Sequence, residues 1–230
     1  MYNKILKEII SNKNNDKIKI LSKFFKTGKG EYGEGDIFLG ITVPISRKIA
    51  KKYSNLSFDI IEKLLKNKYH EVRLIALLIL VDKYKNNNNQ KQIVDFYLKN
   101  TKYINNWDLV DLSAHYIVGN YLIDKDSKIL EKLAKSKNLW ERRISVIATF
   151  AFIYKGEHEP TLKIVNILIN DKNDLIQKAC GWMLRELGKR VSEKKLSSYL
   201  DSNIHKMPRT MLRYAIERFP EKKRLFYLKK

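Results

Sequence analysis

Apolar residues return along most of the chain at intervals of three and four, the spacing that places them on one face of an α-helix. No stretch alternates apolar and polar residues over the length of a β-strand. The clearest apolar sets lie in two neighbouring segments and are Phe58, Ile61, Leu64 and Leu65, then Val72, Ile75, Ala76, Ile79 and Leu80. The pattern predicts an all-α protein of successive helices, with Pro160 and Pro208 at first helical positions.

Charged residues recur at a spacing of 35, each near the start of a long, apolar-patterned helix. These positions are Arg73, Asp108, Arg143, Lys178 and Arg213. Shorter helices are predicted between them, over 57–66, 92–98, 127–135, 161–170 and 193–201. Helix pairs of about 35 residues are typical of helical solenoids, and the lack of tetratricopeptide signatures favours the HEAT type. The prediction is one HEAT-like repeat domain over residues 1–230, a curved solenoid of antiparallel helix pairs.

The charge of the chain indicates what kind of partner it binds. Lys and Arg number 46 against 25 Asp and Glu, which gives a net charge of +21 over 230 residues. With 44% hydrophobic residues the chain can bury a core, so this is not the charge of a disordered tail. A folded chain this basic favours a polyanionic partner. Nucleic acid is the first expectation; an anionic membrane surface and a Lys-rich codon bias are the alternatives.

Other features of the sequence exclude several classes of protein. The single cysteine, Cys180, excludes a disulfide framework and a cysteine-based zinc site, and its apolar surroundings fit a core residue. The longest apolar run, 74–81, is too short to span a bilayer, and the charged N-terminal segment does not resemble a signal peptide. The four histidines lack ligand spacing, so we predict no metal and no cofactor. We expect a cytoplasmic monomer.

One position of the repeat carries an unexpected residue. Three residues after each charged register position, the chain has Ala76, Asp111, Val146, Gly181 and Ile216. Four of these are apolar or small, and an unpaired buried carboxylate is costly. Asp111 therefore either pairs with a neighbouring arginine or backbone group for structural reasons, or lines a working surface.

The three tryptophans each have a charged neighbour on their own helix face. Trp107 precedes Asp111 by four residues, while Trp140 precedes Arg143 and Trp182 precedes Arg185 by three. A single tryptophan usually packs in the core. Three such pairs in successive repeats suit nucleic acid, because aromatic rings pack on sugars or bases and guanidinium groups hold phosphates.

These segments resemble a known family. The runs 107–111 (WDLVD), 139–143 (LWERR) and 176–186 (IQKACGWMLRE) are similar to the AlkD-type alkylpurine DNA glycosylases. The Gly-rich stretch 24–41 and Pro44 resemble the wider DNA alkylation repair group, and the similarity spans about residues 20–220. The resemblance implies a HEAT-like solenoid that excises N3- or N7-alkylated purines from duplex DNA, without a metal and without flipping the base.

The resemblance also implies roles for particular residues. Trp107, Asp111 and Arg143 match the catalytic cleft of the family, and Trp182 matches a tryptophan that contacts DNA. A family tyrosine maps to Phe24 or Phe25, so this chain departs from the pattern there. Together with the basic and aromatic pattern, the expected DNA-binding residues are Trp182, Arg185, Lys178, Trp140 and Arg142.

The Gly-rich stretch also has the spacing of a dinucleotide fingerprint at Gly28, Gly30 and Gly33. No strand precedes it, and its acidic residues Glu31, Glu34 and Asp36 would repel phosphate, so we predict a flexible loop and no nucleotide cofactor.

Three functions remain open on the sequence. The first is a glycosylase acting on duplex DNA with alkylated purines. The second is a non-catalytic DNA-binding relative that recognises damaged or branched DNA, and the third is a protein-interaction scaffold. A scaffold needs neither the charge nor Asp111, and a simple DNA binder has no use for a carboxylate that repels phosphates. The glycosylase accounts for both features.

Overall fold

The computed structural model describes residues 1–86 and 89–229, and helices dominate throughout. Within these ranges there is no β-strand, and Ile37 and Tyr69 form an isolated parallel bridge. The all-α prediction is confirmed. The predicted short helices appear with bounds that lie within two residues of the expected ones. Pro160 is the second residue of its helix, and Pro208 lies just before its helix rather than inside it.

The helices form two compact units, Met1–Ser113 and Ala114–Lys230. That residues 1–230 act as a single repeat domain stays a prediction. None of the helices in the described ranges combines the length and apolarity that a bilayer crossing requires. Within the same ranges, no group of three or more His, Cys, Asp or Glu side chains is placed to hold a metal ion.

The first unit is built around one long buried helix. This helix, α5 (His70–Asn86), is apolar around its whole circumference over residues 74–81 and packs against the two preceding helices, α3 (Val43–Lys52) and α4 (Phe58–Leu65). Its first turn nevertheless carries buried polar side chains. The helices of this unit are α1 (Tyr2–Ser11), α2 (Asn15–Phe24), α3 (Val43–Lys52), α4 (Phe58–Leu65), α5 (His70–Asn86), α6 (Gln90–Lys99) and α7 (Trp107–Asp111).

The second unit is built of successive helix pairs, and in the pairs 128–134 with 139–148 and 159–168 with 174–190 the second helix is the longer one. Its α-helices are α8 (Asn120–Leu122), α9 (Lys128–Ala134), α10 (Leu139–Ala148), α11 (Phe150–Tyr154), α12 (Glu159–Leu168), α13 (Asp174–Arg190), α14 (Glu193–Asn203), α15 (Arg209–Ala215) and α16 (Glu221–Lys229). A π-helix over His115–Gly119 precedes α8. Helix α9 packs on α10, α12 on α13 and α14 on α13, while α13 also contacts α10 and α15.

Small side chains let the repeated helices of the second unit approach closely. Gly181 of α13 occupies the repeat position of Asp111, and a Cβ there would lie 2.4 Å from the carbonyl oxygen of Met211 in α15. Cys180 beside it is fully buried, as predicted for a core residue, and this burial raises the pKa of its thiol well above the ordinary value. The interior of this unit is therefore closely packed helix against helix.

Candidate functional site

Helix α7 places the predicted tryptophan and carboxylate at its two ends. The helix begins at Trp107, whose backbone N–H donates to Asn106 Oδ1 at 2.8 Å, and it ends at Asp111. Both residues are half-buried, whereas the corresponding Ala76 is fully buried. The structure thus confirms that this repeat position is otherwise part of the core, since Val146 and Ile216 are fully buried as well.

The charge of Asp111 reaches into the core of the first unit. Tyr97 is fully buried and shares a hydrogen bond of 2.9 Å with Ser113 Oγ. Burial raises the pKa of the Tyr97 hydroxyl well above its ordinary value, and the negative charge of Asp111 raises it further. Because Tyr97 is fully buried, little bulk water lies around its hydroxyl to screen that charge.

Aromatic residues of the Gly-rich stretch hold the ring of Trp107. Phe25 stacks on the indole with a centroid distance of 5.0 Å and an interplanar angle of 13°. Phe24 meets it edge-on at 5.7 Å, and the indole N–H donates to Tyr32 Oη at 3.2 Å. The orientation of Trp107 is therefore set by residues about 75 to 83 positions earlier in the chain.

Two acidic residues of the Gly-rich stretch bind the backbone of the same stretch. Glu31 Oε2 accepts from the Gly28 N–H at 2.9 Å, and Glu34 Oε2 accepts from the Gly30 N–H at 2.8 Å. The amides that a nucleotide phosphate would need are thus occupied by the protein's own carboxylates. The stretch has the hydrogen bonds of an ordered turn, where the sequence had suggested a flexible loop.

A buried polar network lies beside these aromatic residues. His70, at the start of α5, has Nδ1 3.0 Å from Asp36 Oδ2 and Nε2 2.8 Å from Asp108 Oδ2. Arg73 Nη2 donates to Asp36 Oδ1, and Asn106 Nδ2 donates to Asp36 Oδ2 at 2.9 Å. All five side chains are in the interior, and His70 is only 1% exposed.

The network holds His70 in its charged form. Burial disfavours the imidazolium, but the charge of Asp108 and the hydrogen bonds to Asp108 and Asp36 outweigh it and raise the pKa of His70 to about 9. Burial likewise opposes ionisation of Asp36, yet the hydrogen bond from His70 and the charge of Arg73 hold the pKa of Asp36 below its ordinary value. The network therefore pairs two cations with two carboxylates.

The raised pKa of His70 predicts that the protein loses stability as the pH rises. Because the pKa is 6.5 in the unfolded chain and about 9 in the folded protein, the stabilisation is complete below pH 6.5 and lost as the pH passes through about 9. That difference corresponds to about 3 kcal/mol. We expect urea titrations to show the free energy of unfolding falling by this order across the interval. If the free energy of unfolding fell with pH just as steeply in His70→Gln, the pH dependence would not come from His70.

Three of the site residues predicted in the second unit are largely buried or bound to other parts of the protein. Trp140 lies in the core. The Nε of Arg142 donates to Asp171 Oδ2 at 2.7 Å, and its Nη1 donates to the backbone oxygens of Ser136 and Lys137 at 3.0 Å. Arg143 is buried, and its Nη1 donates to the carbonyl oxygen of Leu175 at 2.6 Å. Trp140 and Arg142 thus hold the start of α10 in place.

The remaining predicted DNA-binding residues lie nearer the surface. Trp182 is half-buried, with its ring 5.8 Å from that of Phe150. Arg185 pairs with Glu217 and contacts Glu186 at 3.4 Å, and Lys178 pairs with Asp174 at 2.6 Å on the same helix. Arg185 and Lys178 each already have an acidic neighbour, so their charge is partly neutralised within the protein.

Sequence reasoning missed a regular set of exposed lysines. An exposed lysine recurs two to five residues before the second helix of each pair, and the set is Lys68, Lys102, Lys137, Lys172 and Lys206. These lysines recur at a spacing of 34 to 35 residues, but they lie before the second helices, whereas the register of charged positions lies inside them. Tyr32, Asp36 and His70 were missed as partners of α7 because no local pattern connects them.

The fold and the α7 geometry define a class of protein: an all-helical repeat protein with an anchored tryptophan and a carboxylate on one helix. Residues 5–219 match the family described as DNA alkylation repair enzyme. The chain belongs to this DNA alkylation repair enzyme family, and membership supports a role in alkylation repair.

A solved structure has a similar fold, whereas no curated protein matches in sequence. The fold is similar to that of a structure described as "Predicted DNA alkylation repair enzyme from Enterococcus faecalis", with a TM-score of 0.71 and 17% sequence identity. The match covers 91% of this chain and 98% of that one. At this identity the likeness concerns the fold alone. No curated protein matches the chain significantly.

Proposed function

We propose that the protein is a DNA glycosylase that excises N3- or N7-alkylated purines from duplex DNA in base excision repair. The observation that carries this proposal is the pair on α7: a half-buried carboxylate at an otherwise apolar repeat position, four residues from a tryptophan whose ring is held in place. Membership of the DNA alkylation repair family supplies the substrate class.

The chemistry of the lesion suits a site of this kind. Alkylation at N3 or N7 gives the purine a positive charge, so the base departs with the electron pair of the C1′–N bond and becomes neutral. The sugar then passes through an oxocarbenium-like transition state, and water adds at C1′ with loss of a proton. The negative charge of Asp111 would stabilise the cationic sugar and orient the incoming water. Neutral purines would be poor substrates because this site offers no acid to protonate them.

The other two proposed catalytic residues supply electrostatic contacts without exchanging protons. Trp107 presents an aromatic face that favours a cationic nucleotide, and Phe25 and Tyr32 hold that face in one orientation. The planar guanidinium group of Arg143 would hold a nearby phosphate. Its hydrogen bond to Leu175 limits the orientations that the group can adopt.

The exposed lysines before the second helices support DNA as the partner. In the second unit, Lys137, Lys172 and Lys206 each precede the first turn of a helix, at one point of three successive pairs. Backbone phosphates are the part of duplex DNA that flexible ammonium groups bind without reading sequence. Trp182, Arg185 and Lys178 are proposed to add contacts to the same duplex.

These three lysines predict a specific salt dependence of DNA binding. Replacing Lys137, Lys172 and Lys206 by glutamine should lower the slope of log affinity against log salt concentration by about 2.7, since each phosphate contact contributes about 0.9. The control is a triple glutamine variant at the exposed Lys132, Lys155 and Lys194, which removes the same charge elsewhere in the unit. Fluorescence anisotropy with a labelled duplex measures both; equal slopes in the two variants would refute the assignment.

Base release decides between the glycosylase and the second candidate function. The protein is incubated with methylated duplex DNA, and free 3-methyladenine and 7-methylguanine are measured by chromatography. Release above the spontaneous rate supports the proposal. Tight, salt-sensitive binding without release would instead identify a non-catalytic DNA-binding member of the family, for which the lysine set alone is sufficient.

A further inference from the structure

His70 is connected to both neighbours of Trp107 in the chain. We propose that His70 is a positioning residue for the excision reaction, because its two ring nitrogens bind Asp108 directly and Asn106 through Asp36, and so fix the first turn of α7. The catalytic consequence rests on the proposed function, while the structural part can be tested without it. His70 has no contact with DNA in this proposal.

The hydrogen bonds reach α7 from both sides of Trp107. On the C-terminal side, Asp108 binds His70 through Oδ2 and accepts the Leu109 N–H through Oδ1 at 2.9 Å. On the N-terminal side, Asp36 Oδ2 accepts from both His70 and Asn106, and Asn106 in turn caps Trp107. The backbone of Trp107 is therefore held between two residues that depend on one imidazole.

A second connection runs through aromatic rings to the indole itself. The ring of His70 stacks on Phe38 at 4.5 Å and lies 5.0 Å from Phe25. Phe25 stacks on Phe38 at 4.9 Å and on Trp107 at 5.0 Å. The same Phe25 ring thus separates the imidazole from the indole, so a shift of His70 would change the surface on which Trp107 rests.

The contacts of the two ring nitrogens with carboxylates suit the charged form of the imidazole. A protonated ring donates from both nitrogens, whereas a neutral ring leaves one nitrogen lone pair facing a carboxylate. The charged groups that face His70 are Asp36 from the Gly-rich stretch and Asp108 from α7, and Arg73 balances Asp36. The raised pKa of His70 agrees with this arrangement. Loss of the proton would weaken one of the two connections to α7.

Two variants and one control test the proposal on a catalytic and a structural measurement. His70→Gln keeps one hydrogen bond and removes the charge, and Asp108→Asn keeps the acceptor to Leu109 and removes one facing carboxylate. The control, Tyr53→Phe, removes a hydrogen bond of 2.7 Å from the residue that follows α3 to Glu8 of α1, in the same unit. Folding of each is checked by circular dichroism, and single-turnover excision is measured between about pH 6 and about pH 9.5.

We expect His70→Gln to lower the excision rate about tenfold, because a small displacement of an aligned group is costly for the reaction. Asp108→Asn should move the alkaline limb of the pH–rate profile down by about one unit, since it removes a charge that favours the imidazolium. Tyr53→Phe should change neither. Asp108→Asn lowering the rate at every pH without moving that limb would overturn a role for the charged imidazole.

The structural measurement separates failure of this proposal from failure of the glycosylase assignment. In protein labelled with fluorotryptophan, the ¹⁹F resonance assigned by Trp107→Phe should shift or broaden in His70→Gln, while those of Trp140 and Trp182 should stay in place. If wild type releases no base but the Trp107 resonance still responds, the proposed function fails and the positioning role stands. If wild type releases base and His70→Gln alters neither rate nor resonance, the positioning role fails alone.

Discussion

Replacing Asp111 by asparagine will leave DNA binding intact and slow base release by about 10²- to 10³-fold. Asparagine has the same size and keeps an acceptor, so the fold of α7 should persist. It removes the negative charge that would face the developing cation at C1′, and charge stabilisation of this kind is the largest single contribution in many active sites. Single-turnover release of 7-methylguanine, beside anisotropy with the same duplex, measures both effects.

Asp82→Asn provides a matched control for this variant. Asp82 is a half-buried carboxylate of α5 in the same unit, so its replacement changes the net charge equally. Any gain in affinity for DNA that comes from charge alone will appear in both variants. Wild-type release by Asp111→Asn would show that this carboxylate has a structural role, the alternative that its burial also allows.

Removing the aromatic face of Trp107 should have the second-largest effect. Trp107→Leu is expected to slow release of a cationic base about 30-fold, because contact between a cation and a partly desolvated ring contributes about 2 kcal/mol. Trp107→Phe keeps an aromatic face but loses the N–H that binds Tyr32. Trp107→Phe should therefore slow base release only a few-fold. Tyr32→Phe, which removes the same hydrogen bond, should slow it to the same extent.

Phe58→Leu is the control for the loss of a ring. Phe58 is a half-buried aromatic residue of α4 that contacts Phe96. Its replacement should lower stability without slowing release. If Trp107→Phe were as slow as Trp107→Leu, the hydrogen bond to Tyr32 rather than the aromatic face would be the more important feature.

Residues that share the same pattern in the sequence differ in how exposed they are in the structure, and the elements packed around them explain the difference. Three tryptophans had the same pattern of a charged neighbour on one helix face, yet Trp140 lies in the core while Trp107 and Trp182 are half-buried. Arg142 of α10 is held by Asp171, which lies in the turn between α12 and α13. Spacing along one helix specifies which residues share a face, but the helix packed against that face decides whether it reaches solvent.

The sequence by itself determined the helical class, the register of the helix pairs and the exceptional carboxylate at Asp111. These follow from spacings of three, four and 35 residues, because local periodicity dictates which side of a helix is buried. Only the tertiary structure decided how α7 is held. His70 meets Asp36 across 34 positions and Asp108 across 38, and Tyr32 meets Trp107 across 75. Such contacts arise when the Gly-rich stretch, α5 and α7 come together, and no spacing along the chain encodes them.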